Sequence, residues 1–502
     1  MEFGSVNMCL NGGVRHDMLG SGSYGKVFLY TPVGVGVVGG NSKAAIKIFK
    51  SDGMCPDFVR EVVALSHFGS KSRSIPKILS FGECECTNLG LVMVAAGQSA
   101  KADIFHKHVT NKTAWKRVAY HLIHALATIH ASGCMHRDVK PSNIVIEKQK
   151  GVAHATLVDW GLFRPCISDA GGDHSAAQTL WYRAPELAMG VKKYGTNSDV
   201  WSLGMCFLEW LVGKPIAPAS TNIELLFMLN QFRSLSSQEW MDQKHIDWDR
   251  SILPNIPPRP LVRSFPELSA HPPVLINLID KMLTCDPSQR PSSSSLLTHP
   301  YFRDLRKKPP VPKRPEFNQR VRFVTTFPSL PKSPNGRQLD VLFEWLMDVG
   351  KKWEYRLQTV EMALIAAVRV FTTHQVITSH IQLVGIACLL LCGKLVEITF
   401  DSEDEGARTC ANAYTPQEVN DAQMRVLVVL KGDLLATTVS QYFCEWLVSS
   451  MGSCPPLKQQ YQWARRNQMW KSSWFMLDPA KRLMGLLEER ERSLAPVLRA
   501  SS

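Results

Sequence analysis

Two rhythms of apolar residues divide this chain. In VFLY (Val27–Tyr30) and AAIKIF (Ala44–Phe49), short runs of β-branched and aromatic residues predict strands, and the alternation in the second sets Ala45, Lys47 and Phe49 against Ile46 and Ile48. DFVREVVALSHF (Asp57–Phe68) changes to helical spacing, with Phe58, Val62 and Leu65 on one line, Val59 and Val63 on another, and Glu61 between them. Further on, LDVLFEWLMDVGKKW (Leu339–Trp353) and TVEMALIAAVRVF (Thr359–Phe371) repeat every three to four positions. HIQLVGIACLLLCGKLVEITF (His380–Phe400) is apolar nearly all round, the pattern of a helix at the centre of a helical domain. The expectation is an α+β region followed by an all-α one.

Charge locates the division between them. The net charge of +13 is concentrated between Arg303 and Arg337, where ten Lys/Arg face two Asp/Glu. Seven prolines from Pro309 to Pro334 keep that stretch out of regular helix or central strand. It reads as a linker, and its RKKPPVPKR core (Arg306–Arg314) is compatible with a nuclear-import signal as well as with an ordinary basic linker. The basic balance therefore implies no direct nucleic-acid binding. The longest apolar run, Leu383–Gly393, is shorter than the roughly 20 residues of a membrane helix. The thirteen cysteines include no pair of pairs at metal-binding spacing. The expectation is an intracellular, soluble protein of nucleus and/or cytoplasm, with reduced thiols and no membrane partner.

The candidate chemistry lies in the first region. Of two GxGxxG patterns, Gly20/Gly22/Gly25 precedes a strand in the order in which bare backbone N–H groups close over phosphates. The second, Gly34/Gly36/Gly39, leads into a strand where a dinucleotide fold requires a helix, and reads as a hairpin. Lys47 is placed to reach phosphate oxygens, and Glu61 is either its ion-pair partner or a surface glutamate. HRDVKPSN (His136–Asn143), followed by a β run and VDWG (Val158–Gly161), supplies the remainder. Phosphoryl transfer needs a carboxylate to orient the acceptor hydroxyl and take its proton, and oxygen ligands for Mg²⁺ beside the triphosphate. Asp138 fits the first role, Asn143 and Asp159 the second, and Lys140 suits the transferred phosphate.

With TLWYRAPEL (Thr179–Leu187), SDVWSLG (Ser198–Gly204) and CDPSQRP (Cys285–Pro291), the chain resembles the protein kinases over roughly Met18 to Phe302, and its strings look like the cyclin-dependent branch. The resemblance implies a bilobal fold, with an N-lobe of about 1–96 and a C-lobe of about 97–305. It also implies ATP and Mg²⁺, protein substrates, and serine/threonine acceptors. It makes Lys47 and Glu61 the ion pair, Asp138 the base, Asn143 and Asp159 the metal ligands, and Lys140 a catalytic lysine. It puts Gly20, Gly22, Gly25, Val27, Met93 and Ala96 around the nucleotide. Glu186, Arg290 and Asp199 are structural in that family. Trp160 departs from the usual phenylalanine.

FEWLMDVG, YRLQTVEMAL, QLVGIACLLLCGKLVEI and YTPQEVNDAQMRVLVVL follow one another as in a cyclin box, so the region 335–435 looks like a cyclin. Beyond it, 436–502 is short for a second cyclin repeat and reads as a partial or divergent one ending in a helix. The resemblance implies that Lys394 and position 423 grip the mobile kinase helix, where Gln423 replaces a glutamate and weakens the contact. CPDFVRE (Cys55–Glu61) resembles the cyclin-binding helix, with Val59 as its apolar plug. A linker of about 34 residues spans roughly 30 Å as a flexible chain, and such tethering gives effective concentrations of order millimolar. An intramolecular kinase–cyclin contact is thus expected, alongside a possible external partner for the cyclin box.

The activation segment, GDHSAAQTLWYRAPE (Gly172–Glu186), carries His174 where activated relatives are phosphorylated on threonine, with Ser175 beside it. Arg60, Arg137 and Arg164 match the three arginines that receive that phosphate, and stand as unpaired guanidiniums wanting an anion from Asp173 or a phosphorylated Ser175. Ser23 and Tyr24 match the inhibitory pair of the family, and Ser333-Pro334 is a candidate autophosphorylation site. Ala177, Gln178 and Arg183 imply a pocket for proline after the acceptor. Three functions compete: a cyclin-dependent type kinase activated by its own cyclin, a weak or inactive kinase scaffold with a cyclin-like docking module, and an active kinase whose cyclin box recruits a separate partner. Cell-cycle and transcriptional roles are equally open.

Overall fold

The structure, a computed structural model, describes residues 14–22, 25–31, 44–84, 88–94, 98–99, 105, 111–149, 152–166, 179–191, 194–235, 250–305, 336–374 and 376–435. Ser23, Tyr24, the second glycine pattern, Ala96, the stretch from Asp173 to Gln178 with Ser175, the proline-rich linker with Ser333-Pro334, and 436–502 lie outside the described residues. The chain divides into two compact units, one within Cys9–Val321 and the other within Arg322–Ser502.

The first unit opens with β1 (Val14–Ser21), β2 (Gly25–Thr31), β3 (Ala44–Asp52), α1 (Pro56–Phe68), β4 (Ile78–Glu83) and β5 (Asn88–Val94). The five strands form an antiparallel sheet in the order β1-β2-β3-β5-β4. β3 is buried on both faces, which the alternation in AAIKIF does not reveal. Ile46 packs with Tyr30, Ala44 and Val92 on one side, while on the other Phe49 meets Phe58 of α1 edge to face at 5.3 Å. Helix α1 starts at Pro56, whose missing N–H costs nothing in a first turn. It buries Phe58, Val59, Val62, Val63 and Leu65, the positions its spacing marks.

Helix α2 (Lys112–His130) follows, capped by Asn111, whose side chain accepts from the Ala114 N–H at 2.8 Å. The strands β6 (Gln98–Ser99), β7 (Ile144–Gln149) and β8 (Val152–Leu157) make a second, three-stranded sheet. Packed against α2 is α3 (Asn197–Val212), buried from Ser198 to Leu211 and ended by Gly213 at φ 82°, a conformation that a side chain would oppose. Around α3 the core is aromatic: Trp210 stacks on Phe105 at 4.2 Å, and Trp115 stands edge-on to Phe207 at 5.0 Å. Glu186 and Arg290 form a bidentate pair at 2.8 and 2.9 Å beneath it.

The second unit is helical: α4 (Gly336–Lys352), α5 (Leu357–Thr373), α6 (Ile381–Val396), α7 (Glu403–Thr409) and α8 (Pro416–Val429). α6 packs against α4, α5 and α8 and buries every residue but Gln382. With its preceding turn it forms a 19-residue segment, Thr378–Val396, of mean hydropathy 1.7. That is apolar enough to cross a membrane, but 83% of its most apolar 18-residue window is buried within the protein. α8 begins in a capping box in which Thr415 and Glu418 satisfy each other's backbone N–H groups.

Gly393 lets α6 approach Tyr355, because a Cβ there would meet the tyrosine Oη at 2.5 Å and Cε2 at 2.8 Å. The ring cannot simply swing away, since its hydroxyl accepts from the Asp401 N–H at 3.0 Å. Gly393→Ala is therefore expected to destabilise the helical unit by about 1–3 kcal/mol. Calorimetry of the full chain checks this, and an unchanged melting profile would refute it.

Candidate active site

Lys47 sits mid-strand on β3, paired across the sheet with Val27 of β2 and Leu91 of β5. The packing of Phe58 on Phe49 sets α1 so that Glu61, one turn later, faces the lysine. Lys47 Nζ lies 2.5 Å from Glu61 Oε2 and 2.7 Å from Asp159 Oδ1. Lys47 is 6% exposed and Glu61 1%, so these two charges meet nearly out of water, while the Asp159 side chain keeps about a third of its surface exposed. Burial alone would lower the pKa of Lys47, yet the two carboxylates outweigh it and hold the ammonium above its ordinary value. Burial pushes the Glu61 carboxyl up to about 7 despite the lysine beside it. Asp159 ends below the usual carboxylate range because Lys47 overcomes the effect of burial.

The segment from His136 to Asn143 is held from below. Asp199 of α3 accepts the backbone N–H groups of His136 and Arg137 at 2.8 and 2.9 Å. His130 of α2 lies 3.1 Å from the same carboxylate, with its other ring nitrogen 2.8 Å from Ser293 Oγ. Burial would raise Asp199, but the His130 contact and the backbone N–H groups lower it below the ordinary range. Arg137 and Asp159 both adopt left-handed backbone, φ 68° and 63°. Such conformations cost about 1–3 kcal/mol each and persist where surrounding bonds enforce them.

Asp138 is fixed by three neighbours. Asn143 Nδ2 donates to its carbonyl at 2.9 Å and to Oδ2 at 2.8 Å, Lys140 Nζ lies 2.8 Å from Oδ2, and the Thr179 hydroxyl donates to Oδ1 at 2.9 Å. Lys140 also donates to Thr179 Oγ1 at 2.8 Å, closing a ring of contacts between the loop and TLWYRAPEL. Thr179 is a site residue that the motif strings do not expose. Its hydroxyl occupies the relation to a carboxylate oxygen that an acceptor hydroxyl would need.

Trp160 is fully buried, donates from Nε1 to the Leu157 carbonyl at 3.1 Å, and stands edge-on to His136 at 4.6 Å. The departure from phenylalanine thus adds a satisfied hydrogen bond. Asn143 spends its amide nitrogen on Asp138 and keeps its carbonyl oxygen, while Asp159 engages Lys47 through Oδ1. Among the described residues no group of three or more His, Cys, Asp or Glu is arranged to hold a metal ion by itself. A cation here would rest on one carboxylate, one amide oxygen, phosphate and water, a hard-oxygen set that suits Mg²⁺.

Gly20 and Gly22 face open space, with nothing within 4 Å of an added Cβ. At Gly25 a Cβ would instead strike the Ile48 carbonyl at 2.5 Å. The first two glycines leave room above the sheet for a ligand, and the third lets β2 lie against β3. Lys50 donates to the Gly22 carbonyl at 2.7 Å and steadies the turn, a contact the sequence does not announce. Met93 closes the far end, opposite Ala45 of β3 and Ile78 of β4.

The three arginines are not all unpaired, contrary to the sequence expectation. Arg60 reaches the Gly161 carbonyl at 3.5 Å and Asp57 at 3.9 Å, and Arg137 Nε donates to the Tyr194 hydroxyl at 3.1 Å. Arg164, 9% exposed, also has an interaction partner. A local carboxylate and carbonyl serve Arg60 and a hydroxyl serves Arg137, so neither waits for a phosphate to be partnered. Arg183 donates to Asn222 at 2.7 Å.

In the helical unit Lys394 is 2% exposed and Gln423 fully buried. Lys394 Nζ lies 2.7 Å from Gln423 Oε1 and also binds Glu403 Oε1, to which Gln423 Nε2 donates at 2.8 Å. The charge missing at position 423 is present at Glu403, nine residues from the lysine and outside any periodic pattern. Val59 is buried on α1.

Residues 14–302 match the family model described as protein kinase domain, and residues 318–435 match the one described as cyclin, N-terminal domain. Over 195 residues the chain is 34% identical to mitogen-activated protein kinase 10 of Arabidopsis thaliana, covering 38% of this chain and 48% of that protein. It is 31% identical over 186 residues to mitogen-activated protein kinase p38b of Drosophila melanogaster, covering 37% and 49%. The chain spans about half the length of the curated relatives it matches. These relatives carry the mitogen-activated name, so they support the kinase family without supporting the cyclin-dependent branch. With more than half of its length in one family model, and a two-lobed fold bringing Lys47, Glu61, Asp138, Asn143 and Asp159 together, the chain belongs to the protein kinase family and carries a cyclin N-terminal domain behind its kinase domain.

Proposed function

We propose that the chain is an active serine/threonine kinase that transfers the γ-phosphoryl group of ATP to protein hydroxyls and is switched on by its own cyclin domain. The observation that carries the activity is the closed set of contacts joining Lys47, Glu61 and Asp159 beside an Asp138 already held by Asn143, Lys140 and Thr179. In this reading Asp138 orients the acceptor hydroxyl and takes its proton. The hydroxyl oxygen bonds to the γ-phosphorus as the bond to the bridging oxygen breaks, and ADP leaves. Lys47, fixed by Glu61, steadies the nucleotide phosphates, and Lys140 offsets charge on the transferred group. Gly20, Gly22, Gly25, Val27, Met93 and Ala96 enclose the nucleotide. Asn143 and Asp159 would hold Mg²⁺, which neutralises phosphate charge when bound.

The finer assignment to the cyclin-dependent type, acting on Ser/Thr-Pro sites, rests on the cyclin domain in the same chain and on Arg183. Val59, Lys394 and Gln423 are the proposed contact between the domains. Arg60, Arg137 and Arg164, already partnered, need no phosphate to be held, so Ser175 phosphorylation adds to cyclin activation without being its condition. Ser23 and Tyr24 are proposed inhibitory sites.

Full-length protein is expected to phosphorylate a Ser-Pro peptide with Mg²⁺-ATP at a specific activity independent of its own concentration. A chain ending at Val321 should be nearly silent, and equal activity of the two would remove the cyclin domain from activation. Asp138→Asn should lower kcat by about 10²–10⁴-fold with little change in thermal stability.

The raised Glu61 carboxyl gives a pH signature. Below about 7 it gains a proton and loses its attraction for Lys47, whereas above that value the pair is intact. The ratio of wild-type to Glu61→Gln activity should therefore fall as the pH is lowered through neutrality and be level above it, with substrate ionisation cancelling between the two proteins. A ratio that rises on acidification would contradict the assignment.

A further inference from the structure

A lysine taken out of water needs a full countercharge, and an amide dipole is a poor substitute. Lys394 is 2% exposed, and Gln423 can offer it only a carbonyl oxygen. Glu403 supplies the missing charge, with its carboxylate bound by Lys394 and by the Gln423 amide nitrogen. The lysine holds the Glu403 carboxyl below the ordinary range even though burial acts to raise it. Gln423 has one chemically sensible orientation here, oxygen to the ammonium and nitrogen to the carboxylate. It thereby relays between the two charges.

The support of Glu403 is also built. It opens α7, where a carboxylate favours the helix N-terminus, and the Ser402 side chain caps that turn by accepting from the Glu405 N–H at 3.3 Å. Glu405 in turn reaches Arg408 at 3.2 Å and Lys352 of α4 at 3.6 Å. α7 is thus anchored at its start, and the Glu403 side chain, a quarter exposed, is delivered onto a buried lysine of α6.

We infer that Glu403 is a positioning residue for kinase activation: the acidic partner of Lys394 has moved from α8 to α7, so that Glu403 and Gln423 together hold the lysine charged and fixed in one rotamer for the activating contact. The inference rests on the reading of Lys394 as part of the activating contact. It replaces the weakened contact expected from Gln423 alone with a fully charged one. The exchange is close to symmetric, because a carboxylate at 423 and an amide at 403 would present the same lysine with the same atoms in mirrored order.

The test uses full-length variants Lys394→Met, Glu403→Gln, Lys394→Met with Glu403→Gln, and the exchange Glu403→Gln with Gln423→Glu. Peptide phosphorylation is assayed well below each variant's own melting temperature, so that loss of folded protein does not enter. Lys394→Met and Glu403→Gln should each lower specific activity about tenfold or more, the scale of leaving a buried charge without its partner. The combined variant should be no worse than either alone, and the exchange should recover most of the activity. If Glu403→Gln lowers only the melting temperature, or the exchange melts like wild type but stays silent, the role given to Glu403 is wrong. If Lys394→Met itself is fully active, the activating contact falls and the inference with it. A silent Lys394→Met beside an active Glu403→Gln overturns the inference alone.

Discussion

Lys47 is the point on which the kinase unit turns. Its ammonium is withdrawn from water and balanced by two carboxylates that the chain delivers from different places, Glu61 from a helix behind the sheet and Asp159 from the segment after β8. Loss of the lysine would leave the buried Glu61 carboxylate without its countercharge, a loss of several kcal/mol. The sheet, α1 and the lower lobe are therefore held in one arrangement by electrostatics as well as by packing. The aromatic contact of Phe49 with Phe58 fixes the position of the helix, and the ion pair fixes its rotation. Asp138 depends on this less directly, being held by contacts within the lower lobe.

The helical unit repeats the same physics in a different material. Lys394 is again a buried ammonium between a carboxylate and a second polar group, here at the junction of the apolar central helix α6 with α7 and α8. Polar groups placed in so dry an environment specify geometry, because each alternative arrangement leaves an unpaired atom. Ile381–Val396 gives the unit its mass, while Lys394 and its two partners give α6, α7 and α8 a fixed register.

How much of this was legible in the sequence depended on whether a residue's role is local. HRDVKPSN and VDWG are contiguous strings, so Asp138, Asn143 and Asp159 could be named as candidates before any contact was known, and the fold brings Asn143 to Asp138 and Asp159 to Lys47. The spacing of Phe58, Val62 and Leu65 identified α1, and the all-round apolarity of α6 identified a central helix. Residues whose role lies in a distant partner were not legible. Thr179 meets Asp138 across 41 positions, Lys50 meets Gly22 across 28, and Glu403 lies in a seven-residue helix too short to show a period. The arginines erred in the opposite direction. They were read as unpaired, but Arg60 meets the Asp57 carboxylate one turn away and the Gly161 carbonyl, and Arg137 meets a hydroxyl that carries no formal charge to count. Burial of both faces of β3 was hidden likewise, since alternation marks a half-buried strand and α1 covers the second face.

The grip of Asp199 on the His136 and Arg137 amides has a consequence for dynamics. The carboxylate belongs to a helix buried along nearly its whole length, whereas the segment it holds has no regular structure of its own. Such a segment would ordinarily open on the timescale of loops. Tied in this way, those two N–H groups become accessible to solvent protons only when the central helix itself gives way, so the irregular backbone carrying Asp138 inherits the hydrogen-exchange lifetime of the core.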